Sequence, residues 1–130
     1  MKSSTALKWL KFALFITGVI FVFAIYPLTV IWPAGWAWHS EGVSLYLQMI
    51  LGIYATLGVF LIIASKNPLK HLSLIWFTVW SSIIHGVIMM IQSLYYPMHI
   101  KHLLGDVPAL FLVAFILGLL TWQADRSKHH

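Results

Sequence analysis

The chain contains no cysteine among its 130 residues. Disulfides, cysteine-ligated iron–sulfur clusters and cysteine nucleophiles are therefore excluded. Acid is nearly as scarce: Glu41, Asp106 and Asp125 are the only carboxylate side chains. Charged residues make up 8% of the sequence, against about a quarter in a soluble domain. No linker or low-complexity segment divides the chain. No internal repeat does either, since the Tyr-Pro pairs at 26–27 and 96–97 sit at different depths of their apolar runs. What remains is apolar: 61% hydrophobic residues and a mean hydropathy of +0.89. A soluble globular domain is excluded.

A bilayer core of roughly 30 Å is crossed by about 20 apolar residues in a helix. Four such runs fit, over residues 12–32, 43–64, 72–96 and 107–122. They lack the alternating polarity of strands, and lipid permits only helices or closed barrels. The expected fold is all-α, an integral membrane four-helix bundle forming a single domain over residues 1–130. Lys2, Lys8, Lys11, Lys66, Lys70, Arg126 and Lys128 fall on one side of this arrangement, and Lys101 alone on the other. Positive residues in short loops mark the cytoplasmic face, so both termini are expected to be cytoplasmic. The net charge of +5 thus reads as a topology signal that also meets anionic headgroups. No nucleic-acid partner is expected.

The first run is too long for a signal-peptide core and lacks a small-residue cleavage site, so it reads as an uncleaved anchor. Pro27 should kink it and Pro33 end it. Trp32, Trp36 and Trp38 form an interfacial belt. The second run is rich in small residues: Gly52, Ala55, Thr56 and Gly58. Pro97 stops the third run. Asp106 is placed to cap the fourth helix, with Pro108 tolerated in its first turn. His129 and His130 read as a native end or part of a tag, and carry no functional argument.

Within the third run, "FTVWSSIIHGVIMMIQSLYY" holds a histidine. Thr78, His85 and Gln92 recur every seven residues, and so do Ser82, Met89 and Tyr96. Helical geometry merges the two sets into one polar stripe. A polar stripe on an apolar helix should face protein or water rather than lipid. His85 lies about 16 Å below Tyr96 at 1.5 Å per residue, near the bilayer midplane. The same count places Tyr54, Ala55 and Thr56 on the second helix and Gly118 on the fourth at that depth. Tyr54 and Thr56 are the candidate hydrogen-bond partners. Gln48 and Gln92 share a shallower level and are placed to pair. At the midplane the imidazole is expected neutral, because burial disfavours charge.

No carboxylate lies within any run, so the buried acid–histidine relay of a proton pump is missing. A second histidine at the depth of His85, needed for bis-histidine haem, is also missing. Serine-hydrolase chemistry lacks its acid, although Ser81 and Ser82 are close by in sequence. One other cluster is conceivable at the outer face. His39 and Glu41 come from the first outer loop, and His99, His102 and Asp106 from the second. Such a set suits zinc. With Met49, Met89, Met90 and Met98 nearby, copper(I) is the other candidate. No metal-binding spacing motif is present, and no other cofactor is expected.

The segments "IYPLTVIWPAGWAWH", "NPLKHLSLIWFTVWSSIIHGVIMMIQ" and "HLLGDVPAL" resemble those of a family of small uncharacterised bacterial four-helix membrane proteins. The chain is also similar to DoxX-like proteins in size and topology only. The resemblance implies a bacterial inner (cytoplasmic) membrane and four helices, and it transfers no catalytic residue.

Three readings follow. The first is a binder of a lipophilic ligand, a lipid or a quinone. Its pocket would lie inside the bundle beside His85, built from Thr78, Ser82, Met89, Gln92 and Tyr96, with Tyr46, Gln48, Tyr54 and Thr56 opposite. The second is a structural or accessory subunit of a membrane complex or homo-oligomer. The third is an enzyme on a lipid-soluble substrate with His85 as acid/base. The third is least favoured, because a catalytic histidine needs an orienting partner and only Tyr54, Thr56 or Gln92 could supply one.

Overall fold

Four helices long and apolar enough to cross a membrane occupy Ser4–Ile31, Leu45–Ala64, Leu72–Tyr95 and Pro97–Arg126. They come from a computed structural model that describes residues 3–37 and 45–128. There is no strand among the described residues. The protein is a multi-pass, all-α membrane protein.

The first span is composite. It runs as α1 (Ser3–Val19), a π-helical segment (Ile20–Ala24) and α2 (Ile25–Ile31). α1 starts well ahead of the apolar run at Phe12, because the exposed Lys8 and Lys11 can extend their stems along it toward the headgroups. The expected kink at Pro27 takes the form of the π segment just before it. Proline has no N–H and its ring crowds the carbonyl four residues back, here that of Phe23. A wider turn relieves that crowding: the Ile25 N–H donates to the Ile20 carbonyl, five residues back rather than four. Trp32 then leaves the helix at φ −131° and ψ 69°, and Pro33 opens the one-turn α3 (Pro33–Trp36).

α4 (Leu45–Ala64) and α5 (Leu72–Tyr95) are joined by a turn that includes the 3-10 piece Pro68–Lys70. A second 3-10 segment, Pro97–Leu103, leads into α6 (Asp106–Lys128). α6 continues past the expected end at Trp122. The last apolar side chain does not end a helix whose following residues are helix-tolerant, and Arg126 stacks over the Trp122 ring at 4.6 Å.

The core sits at the end of the bundle that carries both termini. α1 contributes Ala6, Leu10 and Leu14, and α4 contributes Leu61 and Ala64. α5 adds Ile75 and Val79, and α6 adds Ala114, Leu117 and Ala124. α6 repeats buried positions at Leu110, Ala114, Leu117, Thr121 and Ala124, the four-three spacing that keeps one seam on its neighbours. α1 and α4 touch backbone to backbone at Gly18 and Gly58. A Cβ on Gly18 would lie 2.5 Å from the Gly58 carbonyl oxygen, and one on Gly58 would lie 2.6 Å from that of Gly18.

Beyond that crossing the bundle opens. The only buried residues of α4 are Gly58, Leu61 and Ala64, all in its last two turns. α1 packs on α4 and α6, and α6 on α1 and α5, but α4 and α5 form no comparable packing. The helices therefore stand in the order α4, α1, α6, α5, with a gap between two helices adjacent in sequence.

Candidate functional site

The gap leads to a cavity of about 790 Å³. Its inner limit is a row of three rings. Phe21, buried in the π segment, meets Tyr54 of α4 edge to face with centroids 5.2 Å apart. Tyr54 in turn lies nearly parallel to His85 of α5, centroids 5.9 Å apart and planes at 26°. The Tyr54 hydroxyl and His85 Nδ1 are 2.5 Å apart. A phenol is the stronger donor and an imidazole nitrogen the stronger acceptor, so Tyr54 donates. The remaining ring proton then sits on Nε2. This bond bridges the two helices that otherwise stand apart.

Ile25, Ile50, Leu51, Ile88, Met89 and Val113 supply apolar wall, and Gln92 a polar group within it. Trp36, Tyr46, Tyr96, Met98, His99 and Asp106 close the far end. On the other side of the Tyr54–His85 bridge lies a shallower groove of about 240 Å³, lined by α4 and α5 residues such as Ile53, Leu57, Phe77 and Ser81. His85 borders both spaces.

Of the stripe residues, His85, Met89, Gln92 and Tyr96 line the cavity together with Tyr46 and Tyr54. Thr78 and Ser82 do not. Both are buried nearer the core, and the Thr78 hydroxyl donates back to the Leu74 carbonyl at 2.9 Å. The inward face of α5 also takes in Gly86 and Ser93, which puts His85 at its edge. Thr56 is exposed and donates to the Gly52 carbonyl at 2.9 Å. Gln48 is exposed and lines neither space. No hydrogen bond joins it to Gln92 among the described residues.

At the outer end, His39 and Glu41 lie outside the described residues. His99 and His102 share a face of the 3-10 segment, ring centroids 5.4 Å apart, since a three-residue period superposes i and i+3. His102 is 1% exposed. Its Nε2–H donates to the Ala37 carbonyl at 3.0 Å, and its Nδ1 lies 2.9 Å from Asp106 Oδ1. A carbonyl only accepts, so Nε2 carries a proton. In this arrangement His102 ties the end of the first span to the start of α6, and both its nitrogens are engaged. Close by, a Cβ on Gly105 would overlap the Gly35 carbonyl, so the two connections touch backbone to backbone. Among the described residues, no group of three or more His, Asp or Glu side chains is placed to hold a metal ion.

Sequence reasoning missed Phe21, Trp36 and Ile25 as cavity residues. The only available signal was Pro27, whose demand on the preceding turn sets which side chains of the first span face inward.

A four-span helical protein with an intramembrane cavity open between two of its helices is the class that fold and site define. The chain belongs to DUF6632, a family of unknown function whose model matches residues 4–129. No curated protein and no solved structure matches it.

Proposed function

We propose that the protein binds a lipophilic ligand in the cavity between α4 and α5, beside His85, in a bacterial inner membrane with both termini cytoplasmic. The observation that carries this reading is the unpacked α4–α5 gap leading to about 790 Å³ of mostly apolar space. An apolar cavity of this volume falls in the range of ligand sites. A polar set of Tyr54, His85, Gln92 and Asp106 punctuates its wall. Its opening faces lipid, so a membrane-soluble molecule enters sideways without crossing water. The concentration of lysine and arginine at one end of the bundle supports the assigned orientation.

Native mass spectrometry of the full chain released from mild detergent tests the reading. One lipophilic molecule per chain is expected to remain bound. Ala109 lies in the cavity wall, so Ala109→Trp fills the space and should abolish that adduct at unchanged helix content. His85→Ala should weaken the adduct as well. An adduct that survives both changes would sink the proposal.

A further inference from the structure

The hydrogen-bonding groups around the cavity are unevenly matched. Trp36 Nε1 is buried and has no hydrogen-bond partner among the described residues, and Trp36 forms part of the cavity wall. An indole N–H can only donate. His85 has donated nothing either: its Nδ1 accepts from Tyr54, and no described residue takes the proton on Nε2. Two such ring N–H donors, with the Gln92 amide between the apolar side chains, therefore border one largely apolar space. A buried donor left unmatched is costly, and the group that matches it must be an acceptor.

Charge narrows the acceptor. Among the described residues, no lysine or arginine lines the cavity, and its one carboxylate is Asp106, already held by His102. A phosphate head would enter with no lysine or arginine to meet it, and an unpaired ion in an apolar site is strongly disfavoured. We infer that the ligand is a neutral amphiphile whose head bears a carbonyl, accepting from Trp36 Nε1–H or His85 Nε2–H, with its tail leaving between α4 and α5. This rests on the cavity reading above. Two membrane sources share the chemistry: the ring ketone of an isoprenoid quinone and the ester of a diacylglycerol.

The test uses the full-length protein in detergent, stripped of bound lipid. It is titrated separately with a short-chain menaquinone, dioleoylglycerol and dioleoylphosphatidylglycerol, with binding read by native mass spectrometry. One neutral probe is expected to bind, and the phosphatidylglycerol is expected not to displace it at tenfold excess. Whichever neutral probe binds identifies the source. Trp36→Phe keeps a ring and removes the N–H. It should weaken the neutral probe about five- to tenfold, the value of one hydrogen bond, at unchanged helix content. An unchanged affinity in both Trp36→Phe and His85→Phe overturns the anchoring donors. Phosphatidylglycerol binding as tightly as the neutral probes overturns the head-group class and leaves the cavity reading standing. A chain that retains no probe at all overturns the cavity reading itself.

Discussion

At the residue scale, His85 and His102 are both histidines in apolar surroundings, yet their hydrogen bonding differs. His85 makes one bond across a gap, and its ring borders open space. His102 uses both nitrogens and is sealed. Replacing His102 by alanine removes one hydrogen bond from the Ala37 carbonyl and one from the buried Asp106 carboxylate. Each such loss costs about 1–3 kcal/mol. His102→Ala is therefore expected to lower thermal stability by about 2–4 kcal/mol, measured by unfolding in detergent. Adding Asp106→Ala to that variant should cost much less than Asp106→Ala does alone. Additive losses in the double-mutant cycle would show that the two side chains do not act together. The partner of His85 was legible because helical rise converts sequence position into depth, and that count put Tyr54 opposite it. His102 and Asp106 were read from the sequence as members of a metal-ligating set, not as a pair. Ala37 was not, since a backbone carbonyl 65 residues away leaves no mark on composition or period.

At the scale of elements, the glycines of α4 look interchangeable in sequence and are not. Gly58 lies against the Gly18 carbonyl, whereas a Cβ on Gly52 would meet nothing within 4 Å. Gly58→Ala is expected to destabilise the protein by about 1–3 kcal/mol through overpacking against backbone. Gly52→Ala should be neutral or stabilising by up to about 1 kcal/mol, the helix-propensity gain. Parallel melting curves of the two variants check this, and equal effects would contradict the crossing. Small residues in the second span announced a close approach somewhere along it. They could not say where, because position along a helix is read from a partner's surface. The π segment was half legible in the same way: Pro27 required a distortion, but only packing decides between a bend and a wide turn.

For the whole molecule, the number of spans was legible because lipid forces long apolar helices. Their order around the bundle was not. Consecutive helices usually lie side by side, and a short connection from Ala64 to Leu72 gives no warning that α4 and α5 stand apart. The proposed orientation is directly testable, since the chain has no cysteine to remove. Single cysteines at Lys2 and at Ser127 should resist a membrane-impermeant maleimide added to intact cells, and one at Lys101 should react. Labelling of the termini from outside would reverse the assignment. The Gly18–Gly58 crossing has a consequence at this scale too. Helices held tight on one side of that point and spread on the other occupy unequal areas in the two leaflets. The chain alone is then a wedge in the bilayer, and whatever fills the gap between α4 and α5 becomes part of its outline, restoring a more even cylinder.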